Sequence, residues 1–288
     1  MLLAALLVGG LSAGAPRLMA QDYEDYDEAG DYQPEMPLDM ESAANAWQEA
    51  LNLYDQGQFG TASELARLAA THFENLSRDD PERFRPSQFS CLLLEVGSLR
   101  RAGEIESSLS KGLTLAEKLK GPVQAAPSVY LPILAELNQE LAESNYAFQR
   151  SSGREERVLG YRRAAVEAYQ ILAREKPDEF LPILEDELST LILDCREFGR
   201  DQERLLSIER LLEVSRLQAR GNQDGKKADL ARNLAAYGEE LALMGRKEAG
   251  LAALREALDL FRELEKNEPG AYAVDLSNAE FVLQEQLQ

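Results

Sequence analysis

Histidine is almost absent from this chain of 288 residues. His72 stands alone, and a single imidazole supplies neither a metal cluster nor a catalytic triad. Cysteine is nearly as scarce: Cys91 and Cys195 are the only two. Basic residues are outnumbered, 31 Lys and Arg against 51 Asp and Glu, leaving a net charge of -20 that repels nucleic-acid phosphates and anionic lipid. Mean hydropathy is -0.36, and no apolar run reaches the roughly 18 residues that an ordinary membrane span needs. No phosphate-binding glycine loop, nucleophile elbow or metal-ligand spacing occurs, so the reading is a non-enzymatic protein without a cofactor.

What the sequence does have is a period. Gly153 to Phe180 matches Gly245 to Tyr272 without a gap, with eight identical positions, among them Gly153/Gly245, Leu159/Leu251, Arg163/Arg255 and Pro177/Pro269. The glycine and the proline lie 24 residues apart, and the same pair recurs as Gly57/Pro81 and Gly103/Pro127. Gly199 followed by Gln223 completes five copies at intervals of 46, 50, 46 and 46 residues. A fixed period in this range marks a solenoid, whose units bury their apolar faces only against neighbours. Cys91 and Cys195 then fall in helices two units apart, too far for a disulfide, and two free thiols are expected.

Within each copy the apolar pattern is helical. Twelve residues after the glycine stand Ala69, Leu115, Ala165, Leu211 and Ala257, and sixteen after it Phe73, Leu119, Tyr169, Ser215 and Phe261, a stripe down a second helix. The glycine should close the first helix in the left-handed conformation, and the proline should open the next first helix, where its missing N–H costs nothing. An aromatic three residues after the proline (Phe84, Tyr130, Phe180, Tyr272) should wedge each new helix on the one before. The expected pairs are 41–55 with 59–76, 82–101 with 105–120, 127–150 with 154–176, 178–197 with 201–219 and 226–243 with 247–267, followed by a lone capping helix at 271–287. Four extra residues before Gly153 require a longer first helix or a longer turn at 149–152.

The ends differ from this body. Residues 1–20 run from apolar to small residues before an abrupt acidic stretch, the layout of a secretory signal, although no base precedes the apolar run and Leu18 is bulky for a cleavage site. Export to a periplasmic or extracellular setting is the expectation, with a cytoplasmic protein the outcome if this segment is no functional signal. Residues 21–41 carry nine acids and no base, interleaved with Tyr23, Tyr26 and Tyr32, which predicts disorder and suits either a spacer or a binding tail. Residues 42–288 form the repeat body.

The repeat unit resembles the tetratricopeptide family at the positions that define it. The first copy has Trp47, Ala50, Tyr54, Gly57, Phe59, Ala62 and Ala69, and the last has Gly238, Gly245, Gly250 and Ala257. The 46-residue period resembles extended variants of that family. The resemblance implies an all-α fold, a right-handed α-solenoid of about five helix-turn-helix pairs plus a C-terminal cap, that binds a protein or peptide in the concave groove lined by first helices. Placed by the family pattern, Trp47, Leu51, Tyr54, Arg100, Arg101, Arg150, Ser189, Arg196 and Arg232 face that groove. The excess of arginine suggests an acidic peptide as partner, arginine forks being matched to carboxylates. The acidic tail at 21–41 could itself occupy such a groove, in the same chain or a neighbouring copy.

Overall fold

The computed structural model describes residues 38–148, 152–220 and 224–287. Among them the chain is helical throughout, with no strand: α1 (Leu38–Asp55), α2 (Phe59–Leu76), α3 (Pro81–Arg101), α4 (Ile105–Ala125), α5 (Pro127–Ala147), α6 (Arg154–Glu175), α7 (Pro177–Glu197), α8 (Asp201–Ala219), α9 (Asp224–Leu243), α10 (Lys247–Asn267) and α11 (Ala273–Leu287). These residues form two compact units, one ending at Ala168 and one beginning at Tyr169, with the division inside α6. The expected signal at 1–20, the acidic residues 21–37 and Arg150 lie outside the described residues.

The hairpin turns follow directly from the glycines. Gly57, Gly103, Gly153, Gly199 and Gly245 have φ of 76, 84, 71, 67 and 85°, a region that any β-carbon disfavours. At four of them the same pair of bonds closes the helix. After α1 the Gly57 N–H donates to the Tyr54 carbonyl at 3.0 Å and Gln58 to Leu53 at 2.8 Å; Gly103 with Glu104, Gly199 with Arg200, and Gly245 with Arg246 repeat it. This arrangement satisfies two carbonyls that a helix end would otherwise orphan.

Pro81, Pro127 and Pro177 open α3, α5 and α7 at their first residue, as the sequence implies. Each of these helices also carries a proline five residues on, Pro86, Pro132 and Pro182, which a rule against proline inside helices would forbid. The break is avoided because the carbonyls deprived of a donor belong to Glu82, Ser128 and Asp178, all exposed, where water can serve them. The expected map needs further adjustment. Helix α4 runs to Ala125 against an expected 120, and α1 begins at Leu38, so residues 38–41 of the expected disordered stretch are helical. Helix α5 has the same 21 residues as α3 and α7 and ends at Ala147, against an expected 150.

In the first unit α1 packs on α2, α2 on α3, α3 on α4 and α4 on α5, and α3 also touches α5. The second unit repeats this order over α7, α8, α9 and α10, and α11 lies on both α10 and α9. Consecutive packing plus contact between alternate helices is the arrangement of an α-solenoid, and α11 stands to α9 as α5 stands to α3, the place of a cap. The twelfth and sixteenth positions after each glycine are both deep: Ala69, Leu115, Ala165, Leu211 and Ala257, and Phe73, Leu119, Tyr169, Ser215 and Phe261, are at most 2% exposed. Tyr130 joins a core of Leu115, Leu119, Ile133, Leu137 and Leu141, wedging α5 on α4, and the rings of Tyr169 and Phe180 lie 6.4 Å apart. Each large side chain so buried stabilises the fold by about 1.5–3 kcal/mol. Small residues set the tightest approach. A β-carbon on Gly250 would collide with the Gly238 carbonyl oxygen and stand 2.7 Å from the Ala242 nitrogen, so α9 and α10 meet nearly backbone to backbone. Neither Cys91 nor Cys195 is in a disulfide, and both are buried.

Candidate functional site

In the first unit the last turns of the first helices α1 and α3 place Tyr54, Arg100 and Arg101 in one electrostatic neighbourhood, and α5 brings Glu140 to it. The glycine that follows each last turn fixes where that turn stops, and cations there are favoured by the negative end of the helix dipole. Burial pushes the Tyr54 hydroxyl pKa up, Glu140 adds to the rise, and Arg101 and Arg100 oppose it. Its ring meets Phe59 edge-on at 5.3 Å.

Arg100 and Glu140 form a two-pronged pair: Nε donates to Oε2 at 2.6 Å and Nη2 to Oε1 at 3.2 Å. Both side chains are 12% exposed. Burial alone would lower the Arg100 pKa, but the hydrogen bond and charge of Glu140 more than reverse it. One turn before Glu140, Glu136 has no hydrogen bond or ion pair among the described residues. It keeps some solvent exposure, yet desolvation first and the Glu140 charge second raise its pKa to about 8. Near neutral pH it is largely a protonated acid, able to donate as well as accept. Arg162 of α6, itself buried, is paired with Glu143.

Arg101 is different from its neighbour. Its Nε is buried without a hydrogen-bond partner, and it makes no ion pair among the described residues. A guanidinium left with an open donor beside Tyr54 can take a carboxylate or a carbonyl.

The remaining expected groove residues are scattered in role. Trp47 is 6% exposed and packs with Ala43, Ala70, Phe73 and Cys91, so it is a core residue and not a lining one. Leu51 is half-buried against the same cluster. In the second unit Ser189 donates to the Glu185 carbonyl at 2.9 Å and shares a hydrogen bond with Tyr237, whose pKa is raised chiefly by burial. Arg196 bonds Glu240 Oε2 at 2.7 Å, and Arg204 approaches Oε1 of the same carboxylate at 3.3 Å. Arg232, 51% exposed, meets Asp229 and Asp275 only at 3.4 and 3.3 Å.

No protein-family model and no curated protein matches the sequence. Among solved structures the chain is similar to a thermophilic TPR protein from Thermus thermophilus. Identity is 20%, over 84% of this chain and 99% of that one, with a TM-score of 0.34. The all-helical hairpin architecture therefore rests on the turns and packing described above.

Sequence reasoning found the arginines and missed the acids that hold them. Glu140 precedes its repeat glycine by thirteen residues and Glu240 by five, so no common register marks them. It also missed the hub at Glu185, whose carboxylate accepts from Ser215 at 2.5 Å, Gln218 at 2.6 Å and Asn233 at 2.7 Å. Among the described residues no helix is long and apolar enough to cross a membrane, and no group of His, Cys, Asp or Glu is placed to hold a metal ion.

Proposed function

We propose that this protein is a non-enzymatic interaction scaffold, a tetratricopeptide-like solenoid with an extended period near 46 residues, that binds a protein or peptide along the first-helix face of its hairpins. The observation that carries the reading is the unsatisfied Arg101 on that face, beside Tyr54 and the neutral Arg100–Glu140 pair. Buried polar groups are ordinarily paired, so an open donor in a water-poor setting supports a partner group that completes it. An acidic or C-terminal carboxylate suits a guanidinium best. The signal-like residues 1–20 support an exported setting for this activity.

The test is site-specific photo-crosslinking in the native compartment. A photoreactive residue at Tyr54 should capture a partner that one at Leu113, exposed on α4, does not, and Arg101→Glu should abolish the capture. Equal capture from both positions, or capture unaffected by Arg101→Glu, would reject the first-helix face.

A further inference from the structure

A second polar feature of the first unit lies at the opposite end of α3 from Arg101. A cleft of about 390 Å³ opens between the end of α2, the start of α3 and the middle of α4, lined by Glu74, Ser77, Arg78, Pro81, Arg85, Gln88, Phe89 and Lys118. Three of these are cations and one is an acid, on a protein whose net charge is -20. None of Arg78, Arg85 or Lys118 forms an ion pair among the described residues. Arg83, just outside, leans over the Phe84 ring at 5.0 Å and does not neutralise an acid. The nearby carboxylate of Asp80 is committed elsewhere, accepting from the Arg83 N–H at 3.2 Å as the N-cap of α3.

Gln88 and Phe89, both buried, line the inner side of the cleft. The positive end of the α3 dipole adds to the field of the three cations.

We propose that the acidic, tyrosine-bearing segment 21–37 of the same chain docks in this cleft. The goodness of fit is chemical and topological. The segment carries seven acids, Asp22, Glu24, Asp25, Asp27, Glu28, Asp31 and Glu35, without a base, and three tyrosines to lie along Phe89 or an arginine plane. It also joins the fold at the right end. The tight turn at Gly57 lays α1 and α2, each 18 residues, side by side, and Ala43 near the start of α1 packs with Phe73 near the end of α2. The segment therefore joins α1 beside the α2 end that forms the cleft wall. Seventeen residues can span about 55 Å, twice the roughly 27 Å length of α1, so reach is not limiting. Tethering sets an effective concentration of the order of millimolar, enough for a modest affinity to keep the cleft occupied. This docking is independent of the partner reading on the first-helix face, because the two sites share no residue.

The experiment places a photoreactive amino acid at Tyr26 or Tyr32 of the full chain and maps the crosslinks by mass spectrometry. Crosslinks within one chain to the peptides holding residues 78–89 and 118 are expected, weakening as salt rises from low to about 0.5 M. Arg85→Glu with Lys118→Glu should cut their yield about tenfold, the weight of one to two charge-assisted contacts. Both residues are exposed, so the helical signal and melting point should not change; Arg78→Glu, at a third exposed residue of the lining, offers a second variant that lowers the yield. Crosslinks to Tyr54 or Arg101 instead, crosslinks found only between two copies, or a yield indifferent to charge reversal would each overturn the proposal. So would binding of inorganic phosphate in the cleft with no crosslink from the segment.

Discussion

The two ends of α3 treat positive charge in opposite ways. At its C-terminal end Arg100 is locked on Glu140 with both side chains 12% exposed, in a pair that presents almost no net charge. At its N-terminal end Arg78 and Arg85 line an open cleft with Lys118, where Glu74 is the one acid of the lining. The helix dipole favours the first placement and opposes the second, so the N-terminal cations raise the local free energy until an anion arrives. A cation that completes the fold is therefore hard to remove, and one that waits for a ligand is easily replaced.

The largest effect should come from the locked end. Glu140→Ala leaves Arg100 buried without its partner and should cost about 3 kcal/mol of stability, read from urea unfolding; the pair discounted for its residual exposure still belongs with buried ion pairs. Adding Arg100→Ala should recover part of that loss. A cost no greater than that of an exposed ion pair would remove the distinction between the two ends.

Glu136 gives the next largest effect and a pH signature. Its folded pKa of about 8 stands above the usual 4.5, so its contribution is fully present at low pH, below 4.5, and is lost as pH climbs toward 8. The full shift would correspond to about 5 kcal/mol; because the side chain keeps some solvent exposure, Glu136→Gln should match the wild type at about pH 4 and exceed it by under half of that, about 2 kcal/mol, at about pH 8. Parallel stability curves for the two proteins across that window would show that the acid is ordinarily solvated.

Arg196 lies between the extremes, 43% exposed yet bonded to a Glu240 that is only 12% exposed. Arg196→Ala should cost about 1 kcal/mol by thermal or urea unfolding, and a change indistinguishable from zero would class it with the exposed pairs. The smallest effect is expected at the cleft, where Arg78→Ala and Arg85→Ala should each stay within about 0.5 kcal/mol. A loss of about 2 kcal/mol there, on the scale of a buried contact, would mean those arginines serve the fold after all.

The legibility of this molecule in its sequence depends on the distance over which a residue acts. Gly57 or Gly245 announces a turn because the conformation it permits is its own, and Pro81, Pro127 and Pro177 announce a helix start for the same reason. Pro86, Pro132 and Pro182 carry no such announcement, since their tolerance inside a helix depends on the exposure of carbonyls four residues earlier. Trp47 matched a groove pattern and turned out to be core, because both roles call for the same ring on the same helix. The cations of the cleft were hidden differently. In the sequence Arg78, Arg83 and Arg85 alternate with Asp79, Asp80 and Glu82, a stretch of no net charge, and only the fold turns Arg78 and Arg85 toward Lys118 while Asp80 caps a helix.

The sequence by itself determined the period, the hairpins and their deepest core positions, because backbone conformation and helical periodicity are local properties that recur with the repeat. Only the tertiary structure decided which arginines are neutralised and which remain open. Pairing falls off with distance in space, and partners such as Arg100 and Glu140 stand 40 residues apart in the chain with no register that marks them.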